Sequence, residues 1–195
     1  MWRWLLITVT VCLCLTHAQA NTSVDIQALK LERIEQGVYL SANLQFDMPS
    51  LLEDAMLKGV SLYFVTEVDI VRERWYFYDK NVSHAERHVR VSFMPLTRRW
   101  RVSVSPQPFS AAGLGMNMGQ SYDNLDDALV SVRRLVQWRV ANASDLEADT
   151  KQNIEVSFRL DLTQLPRPLQ MGAAGQTDWN INLTRKQRLV LVSTP

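Results

Sequence analysis

The sequence predicts an all-β to α+β protein, an antiparallel β-sandwich of about seven or eight strands with two helices. Residues 59–71 carry apolar side chains on both faces, which is typical of a strand covered on each side. Residues 38–46 alternate strictly between apolar and polar side chains, which predicts a half-buried strand. Helical spacing is confined to residues 49–58 and 121–138. We therefore expect a sheet scaffold decorated by two helices.

The first twenty residues have the pattern of an export signal. Arg3 precedes the apolar residues 5–15, and Ala18 and Ala20 provide the small residues of a cleavage site. The apolar run is much shorter than the roughly 20 residues that span a bilayer. We expect cleavage after Ala20, a single domain over residues 21–195, and a periplasmic or secreted location.

Composition excludes several kinds of chemistry. The only cysteines, Cys12 and Cys14, lie in the signal segment, so the mature chain would have no disulfide, thiolate ligand or cysteine nucleophile. The 21 basic residues include Arg3, so the mature chain would carry 20 basic and 20 acidic residues. This balance lacks the basic excess of a nucleic-acid-binding protein. No later stretch is long and apolar enough to predict a transmembrane helix.

The first half of the mature chain predicts a hairpin, a helix and the central strand. Residues 24–32 and 38–46 form the hairpin, with a turn at Gly37. Residues 49–58 form the helix, where Ser50 and Glu53 have the spacing of a capping box and Gly59 follows the last turn. The central strand follows directly.

The second half predicts another hairpin, a loop, a helix and further strands. Residues 87–93 and 96–105 form the hairpin, and the glycine-rich residues 106–120 form a loop long enough to be functional. The predicted helix extends from Ser121 to Trp138, and a polar linker and a strand at 154–160 follow. The two prolines in 162–169 predict a bend and an extended crossing, and residues 179–183 and 189–192 predict the last strands.

Two groups of side chains are candidates for binding. Trp75, Tyr76 and Tyr78 belong to an aromatic run, and Met116 and Met118 lie in the long loop. Aromatic rings and methionines are common at recognition surfaces, although an aromatic run of this kind also caps sandwich cores.

His84, Glu86 and His88 are the alternative candidate, a metal site of a metal-assisted hydrolase. On a strand, positions four apart stand about 13 Å apart, so the two histidines would not share an ion unaided. Their phase opposes that of Val89 and Val91, and we therefore expect all three side chains to face solvent. The sequence thus names no metal ligand set, catalytic residue or cofactor with a specific motif behind it.

Arginines concentrate in the middle third of the chain. They could bind an anionic polymer or a membrane surface, but charges on edge strands commonly block sheet-to-sheet aggregation, and this second explanation is the one the pattern favours. The residues are Arg72, Arg74, Arg87, Arg90, Arg98, Arg99 and Arg101.

Several short stretches resemble one protein family. They are LTRRWRV at 96–102, AMLKGVSLYF at 55–64, LDDAL at 125–129, FRLDLTQLPRPL at 158–169, and Asp178 with Trp179. Together they resemble the proteobacterial exported proteins catalogued as domain of unknown function 4390, over essentially the whole mature chain. The resemblance implies a bacterial, periplasmic location and a gene encoded near those of a membrane sensor kinase and an RNA methyltransferase, and it carries over no catalytic residue.

The sequence as a whole favours a non-catalytic binding or adaptor module at the cell envelope. We expect it to have a protein partner and to act as an accessory to a membrane sensor. Two alternatives stay open: the metal-assisted hydrolase, and a carrier of a small apolar ligand or lipid inside the sandwich.

Overall fold

The computed structural model describes residues 25–73, 80–109, 119–146, 151–173 and 179–193. This part of the chain forms ten strands, three α-helices and two short 3-10 turns. The strands are β1 (Asp25–Ile34), β2 (Gly37–Gln45), β3 (Leu62–Arg72), β4 (Lys80–Met94), β5 (Arg99–Ser105), β6 (Gly119–Tyr122), β7 (Arg134–Asn142), β8 (Gln152–Leu160), β9 (Asn182–Arg188) and β10 (Leu191–Ser193). The helices are α1 (Ser50–Leu57), α2 (Leu125–Arg133) and α3 (Arg167–Ala173), and the 3-10 turns are Ala143–Asp145 and Leu162–Gln164.

The strands form two open sheets. The smaller has the order β10-β1-β2-β7, and the larger has the order β6-β5-β4-β3-β8-β9. Neighbouring strands are antiparallel except for the short parallel pair of β1 and β10. The predicted fold class is confirmed. Eight strands are long, and each of the two short strands, β6 and β10, lies at one edge of a sheet.

Strand β3 is interior to the larger sheet, as its two apolar faces predict. It lies between β4 and β8, with Phe64 opposite Val89 on one side and Leu160 on the other. Phe64 is fully buried toward the smaller sheet, and Val65 is buried on the opposite face. A central strand buried on both faces is therefore the organising element of the larger sheet.

The core between the sheets contains a cluster of three phenylalanines, Phe64 of β3, Phe158 of β8 and Phe46, which directly follows β2. Phe64 and Phe158 stack with ring centroids 5.5 Å apart, and Phe46 lies 5.9 Å and 5.1 Å from them. Such aromatic pairs contribute about 0.5–1.5 kcal/mol each beyond the area they bury. This contact fixes the two sheets face to face.

Helix α1 forms where it was predicted, but it begins differently. Its N-cap is Pro49, with no side-chain hydrogen bond at the cap, so the predicted capping box of Ser50 and Glu53 is wrong. Gly59 follows the helix with φ +91°, and its N–H donates to the carbonyl of Met56 at 2.8 Å. Glycine is the residue that adopts this backbone conformation without steric cost, which confirms the predicted end.

The second predicted helix is much shorter than residues 121–138. Helix α2 ends at Arg133, Ser121 belongs to β6, and Arg134–Asn142 forms strand β7 against β2. Leu135 and Val136 continue the helical spacing of α2, but they lie in the first residues of β7. Pairing along β2 supplies backbone hydrogen bonds that local propensity does not anticipate, so tertiary structure overrides the helical pattern.

The remaining differences are local. Residues 167–173 form helix α3, where a bend and an extended crossing were predicted; Pro168 lies in its first turn, where proline is tolerated. Strand β4 begins at Lys80, seven residues before the predicted start, and so includes the histidine cluster. No helix in the part of the chain that the structure describes is long and apolar enough to cross a membrane.

Candidate functional site

The sequence-predicted binding residues cannot be placed. Trp75, Tyr76 and Tyr78, like Met116 and Met118, lie outside the described residues. The recognition surface proposed from them stays a prediction.

The histidine cluster does come together, on the outer face of the larger sheet. Glu86 lies between the two histidines: its Oε1 is 3.0 Å from Nε2 of His84, and its Oε2 is 2.9 Å from Nε2 of His88. Nδ1 of His84 is 2.8 Å from Oδ1 of Asp69 on the neighbouring strand. The expectation that all three side chains face solvent is wrong for His88, which is only 7% exposed.

These contacts make an ion-pair cluster. Both ring nitrogens of His84 face carboxylates, first Glu86 and then Asp69, and these hydrogen bonds raise the pKa of His84. Hydrogen bonds from His84 and then His88 lower the pKa of Glu86. The distances of 2.8 to 3.0 Å join these side-chain atoms directly to one another as hydrogen bonds. Among the described residues, no three His, Cys, Asp or Glu side chains are grouped to hold a metal ion.

A groove opens between the two sheets close to this cluster. Strand β5 pairs only with residues His88 to Met94 of β4, so in the described structure the first half of β4 has no strand partner on that side. Strand β7 crosses there, and Oγ of Ser83 donates to the carbonyl of Val140 at 2.7 Å. Beyond this contact the strands diverge around a groove of about 470 Å³. This volume is within the range of small-molecule sites.

The groove combines cationic and apolar side chains. Its lining includes three arginines, Arg87, Arg134 and Arg139. Val104 and Val136, which are 42% and 61% exposed, supply apolar surface from opposite walls. The remaining lining residues are Glu86, Ser105, Pro106, Leu135, Gln137 and Trp138.

Arg87 is the unusual member of this set, because its side chain faces inward. It is in phase with Val89, and its cross-strand neighbour is the fully buried Thr66. Burial lowers the pKa of Arg87, since it disfavours the charged guanidinium. Its Nη1 is inaccessible to solvent and has no hydrogen-bond partner among the described residues. The earlier explanation, exposed charges that protect edge strands, is wrong for Arg87 because its side chain faces inward.

The other two arginines are also without a carboxylate. Arg139 donates to Oδ1 of Asn142 at 2.8 Å, and Arg134 makes no ion pair within the described structure. Glu86 is the one acidic residue of the lining, and both of its oxygens are engaged by the histidines. The groove therefore presents positive charge that the described residues do not neutralise.

A β-bulge shapes the β7 wall. The register of β7 with β2 shifts between Leu40 and Ala42, and Gln137 has φ +45°. The N–H of Gln137 turns back to donate to Oγ of Ser41 at 3.2 Å. Sequence reasoning missed this wall because it predicted a helix there. Val136, Trp138 and Val140 alternate as in a strand, but Val136 is exposed and Val140 is buried, so the bulge leaves no consistent apolar face that could have revealed the strand.

Fold and site together define an open antiparallel β-sandwich whose candidate site is a ligand groove between its sheets. The profile of the family described as Domain of unknown function (DUF4390) matches residues 21–188. The chain therefore belongs to this family, as the resemblance predicted. No curated protein and no solved structure matches the chain.

Proposed function

We propose that this protein is an exported, non-catalytic binding module of the cell envelope that recognises an anionic group in the groove between its sheets. The observation that carries the proposal is that three arginines line this groove and none of them forms an ion pair in the described structure. Guanidinium groups match the geometry of carboxylate and phosphate, and they bind both by paired hydrogen bonds.

The surroundings of the groove support binding over catalysis. His88 and Glu86 resemble a base with its orienting carboxylate, and Ser105 is opposite His88 across the strands. However, Oγ of Ser105 accepts from the N–H of Gln107 at 3.1 Å, and no hydrogen bond joins it to His88. A serine nucleophile needs that contact with its base. The metal-assisted alternative is supported by no group of ligands in the described structure.

The location rests on the first twenty residues, whose charge, apolar run and small residues have the pattern of an export signal. As an accessory to a membrane sensor, a periplasmic module would report the presence of the bound anion. Mass spectrometry of a periplasmic extract should find a mature chain that begins at Asn21. An uncleaved chain in the membrane fraction would contradict this part of the proposal.

Anion recognition is tested by thermal denaturation of the purified protein in inorganic phosphate and in chloride at equal ionic strength. A ligand that binds only the folded state at ten times its Kd stabilises by about 1.4 kcal/mol. We expect phosphate to raise the Tm of the wild type more than that of a variant carrying both Arg87→Gln and Arg134→Gln. Arg98→Gln is the matched control, since Arg98 is an exposed arginine at the opposite end of the β4–β5 hairpin. An equal response of all three proteins would overturn the proposal, because phosphate also stabilises proteins non-specifically.

A further inference from the structure

We infer that the occupant of the groove is a single-chain anionic amphiphile, a molecule with a phosphate or carboxylate head and an apolar tail. This inference rests on the proposed function and assigns its ligand class. It follows from how the cationic and apolar parts of the groove are arranged.

The head is assigned to the arginines. Arg87 is half-buried and reaches the groove from the interior, whereas Arg134 and Arg139 are exposed on the opposite wall. An anionic oxygen between them would neutralise the guanidinium whose pKa burial lowers. A charge held away from water interacts more strongly with a counter-charge than an exposed one does.

The tail is assigned to the apolar walls. Val104 and Pro106 belong to the β5 side, and Val136 and Trp138 belong to β7. Valines that are 42% and 61% exposed on facing walls leave apolar surface in water, which a hydrocarbon chain would cover. An inorganic anion would leave that surface exposed, so the groove fits an amphiphile better than a free ion.

An acidic peptide is the competing occupant, and the backbone of β7 argues against it. A peptide that added a strand to β7 would need the free N–H and C=O groups of that edge. On that edge the carbonyl of Val140 already accepts from Oγ of Ser83. This contact closes the groove at one end, which suits a short molecule rather than an extended chain.

The experiment is calorimetric titration with ethyl, butyl, hexyl and octyl phosphate, each below its micelle-forming concentration. We expect the affinity of the wild type to rise about two- to fourfold per added methylene, as expected for transfer of a methylene from water. The double variant Val104→Ser, Val136→Ser should lose this dependence on chain length while it still binds ethyl phosphate. Val190→Ser is the matched control, because Val190 is 68% exposed and does not line the groove.

The head is tested with the same chain lengths. Arg134→Gln and Arg87→Gln should each weaken octyl phosphate about tenfold or more, since hydrogen bonds to charged groups are involved. Octyltrimethylammonium, with the same tail and a cationic head, should not bind measurably. Equal binding of the two head groups would overturn the assignment. Thermal melts of every variant verify folding, and the exposed Arg134 keeps the test valid should Arg87→Gln fail to fold.

Other outcomes separate this inference from the proposed function. Phosphate binding that depends on the arginines but not on chain length would overturn the amphiphile and leave the anion site standing. Tighter binding of an acidic hexapeptide than of octyl phosphate would identify a protein partner and overturn it too. Sedimentation with phosphatidylglycerol vesicles, without binding of soluble octyl phosphate, would show that a membrane surface and not a single molecule is recognised.

Discussion

Replacing Arg87 with methionine should stabilise the protein. Methionine keeps an unbranched apolar stem of similar length, so the packing of that stem is largely preserved. It removes the Nη1 group that is buried without a partner among the described residues, and an unsatisfied buried group costs about 1–3 kcal/mol. We expect the free energy of unfolding to rise by about 1–2 kcal/mol. For a chain of 195 residues this corresponds to an increase in Tm of roughly 4 °C.

Urea denaturation at pH 7 without added anion measures this effect, and Arg133→Met provides the contrast. Arg133 is also partly buried, and its Nε likewise has no partner among the described residues, but its Nη2 donates to the carbonyl of Phe46 at 2.8 Å and its guanidinium lies 5.0 Å from the Phe46 ring centroid. Its replacement should lower the free energy of unfolding by about 1–2 kcal/mol. Opposite signs for the two variants support the reasoning. A loss of more than about 1 kcal/mol in Arg87→Met would show that Arg87 has a stabilising partner, and it would refute the unpaired charge.

Three further predictions concern other parts of the fold. The pKa of His84 is raised in the folded protein, so the stability that His84 contributes is complete below its ordinary pKa of 6.5 and is lost as pH rises through the folded value. The pKa of Glu86 is lowered, so the stability that Glu86 contributes is complete above its ordinary pKa of 4.5 and is lost as pH falls through the folded value. The free energies of unfolding of the wild type and of Glu86→Gln should therefore differ most between pH 4.5 and pH 6.5. The difference should be less than about 1 kcal/mol, because His84 and Glu86 are exposed. A difference that grew toward pH 9 would contradict the directions of the two pKa shifts. Thr66→Val should stabilise by about 1 kcal/mol in chemical denaturation, since Oγ1 of Thr66 is buried without a partner in the described structure, and no gain would indicate a bridging water. Gly59→Ala should destabilise by about 1 kcal/mol in the same assay, because φ is +91° there, a conformation that only glycine adopts without cost. An added Cβ would meet no atom within 4 Å, so the cost comes from the backbone alone, and an unchanged midpoint would show that the turn relaxes.

The sheets could be predicted from the sequence where side-chain alternation is strong. Strand β2 alternates buried and accessible residues along Val38–Leu44, and β3 is apolar on both faces, so local periodicity alone assigns them. Helix α1 was predictable for the same reason, from its buried Leu52, Ala55 and Met56. Each of these elements has a local pattern that agrees with its tertiary environment.

Strand β7 was not predictable in this way. Its bulge at Val136 and Gln137 breaks the period of two, and its first residues continue the helical spacing of α2. A bulge places two residues opposite one, so the alternation changes phase within the strand. Only the pairing with β2, about a hundred residues earlier in the chain, establishes that this segment is extended.

The groove could not be predicted from the sequence, for a related reason. Its cations come from β4 and β7, which belong to different sheets, and its opening depends on where β5 ends. One part was accessible: Arg87 alternates in phase with Val89 and Val91, which already predicts an inward-facing arginine. The cation was instead interpreted as protection of an edge strand, because the neighbours of β4 were unknown.

The position of Arg87 distinguishes three explanations of a basic surface, namely solubility, a structural ion pair and a bound anion. Solubility requires an exposed charge, and Arg87 is half-buried with one nitrogen inaccessible to solvent. A structural ion pair requires a carboxylate, and the nearby Glu86 is held by two histidines on the other face of the strand. Since an apolar side chain of similar size would fit the inward face better, the guanidinium lowers stability at that position unless a counter-charge is supplied. An anion bound in the groove supplies it, and the stability gained by Arg87→Met should therefore shrink as octyl phosphate is added, because only the wild type retains the full site.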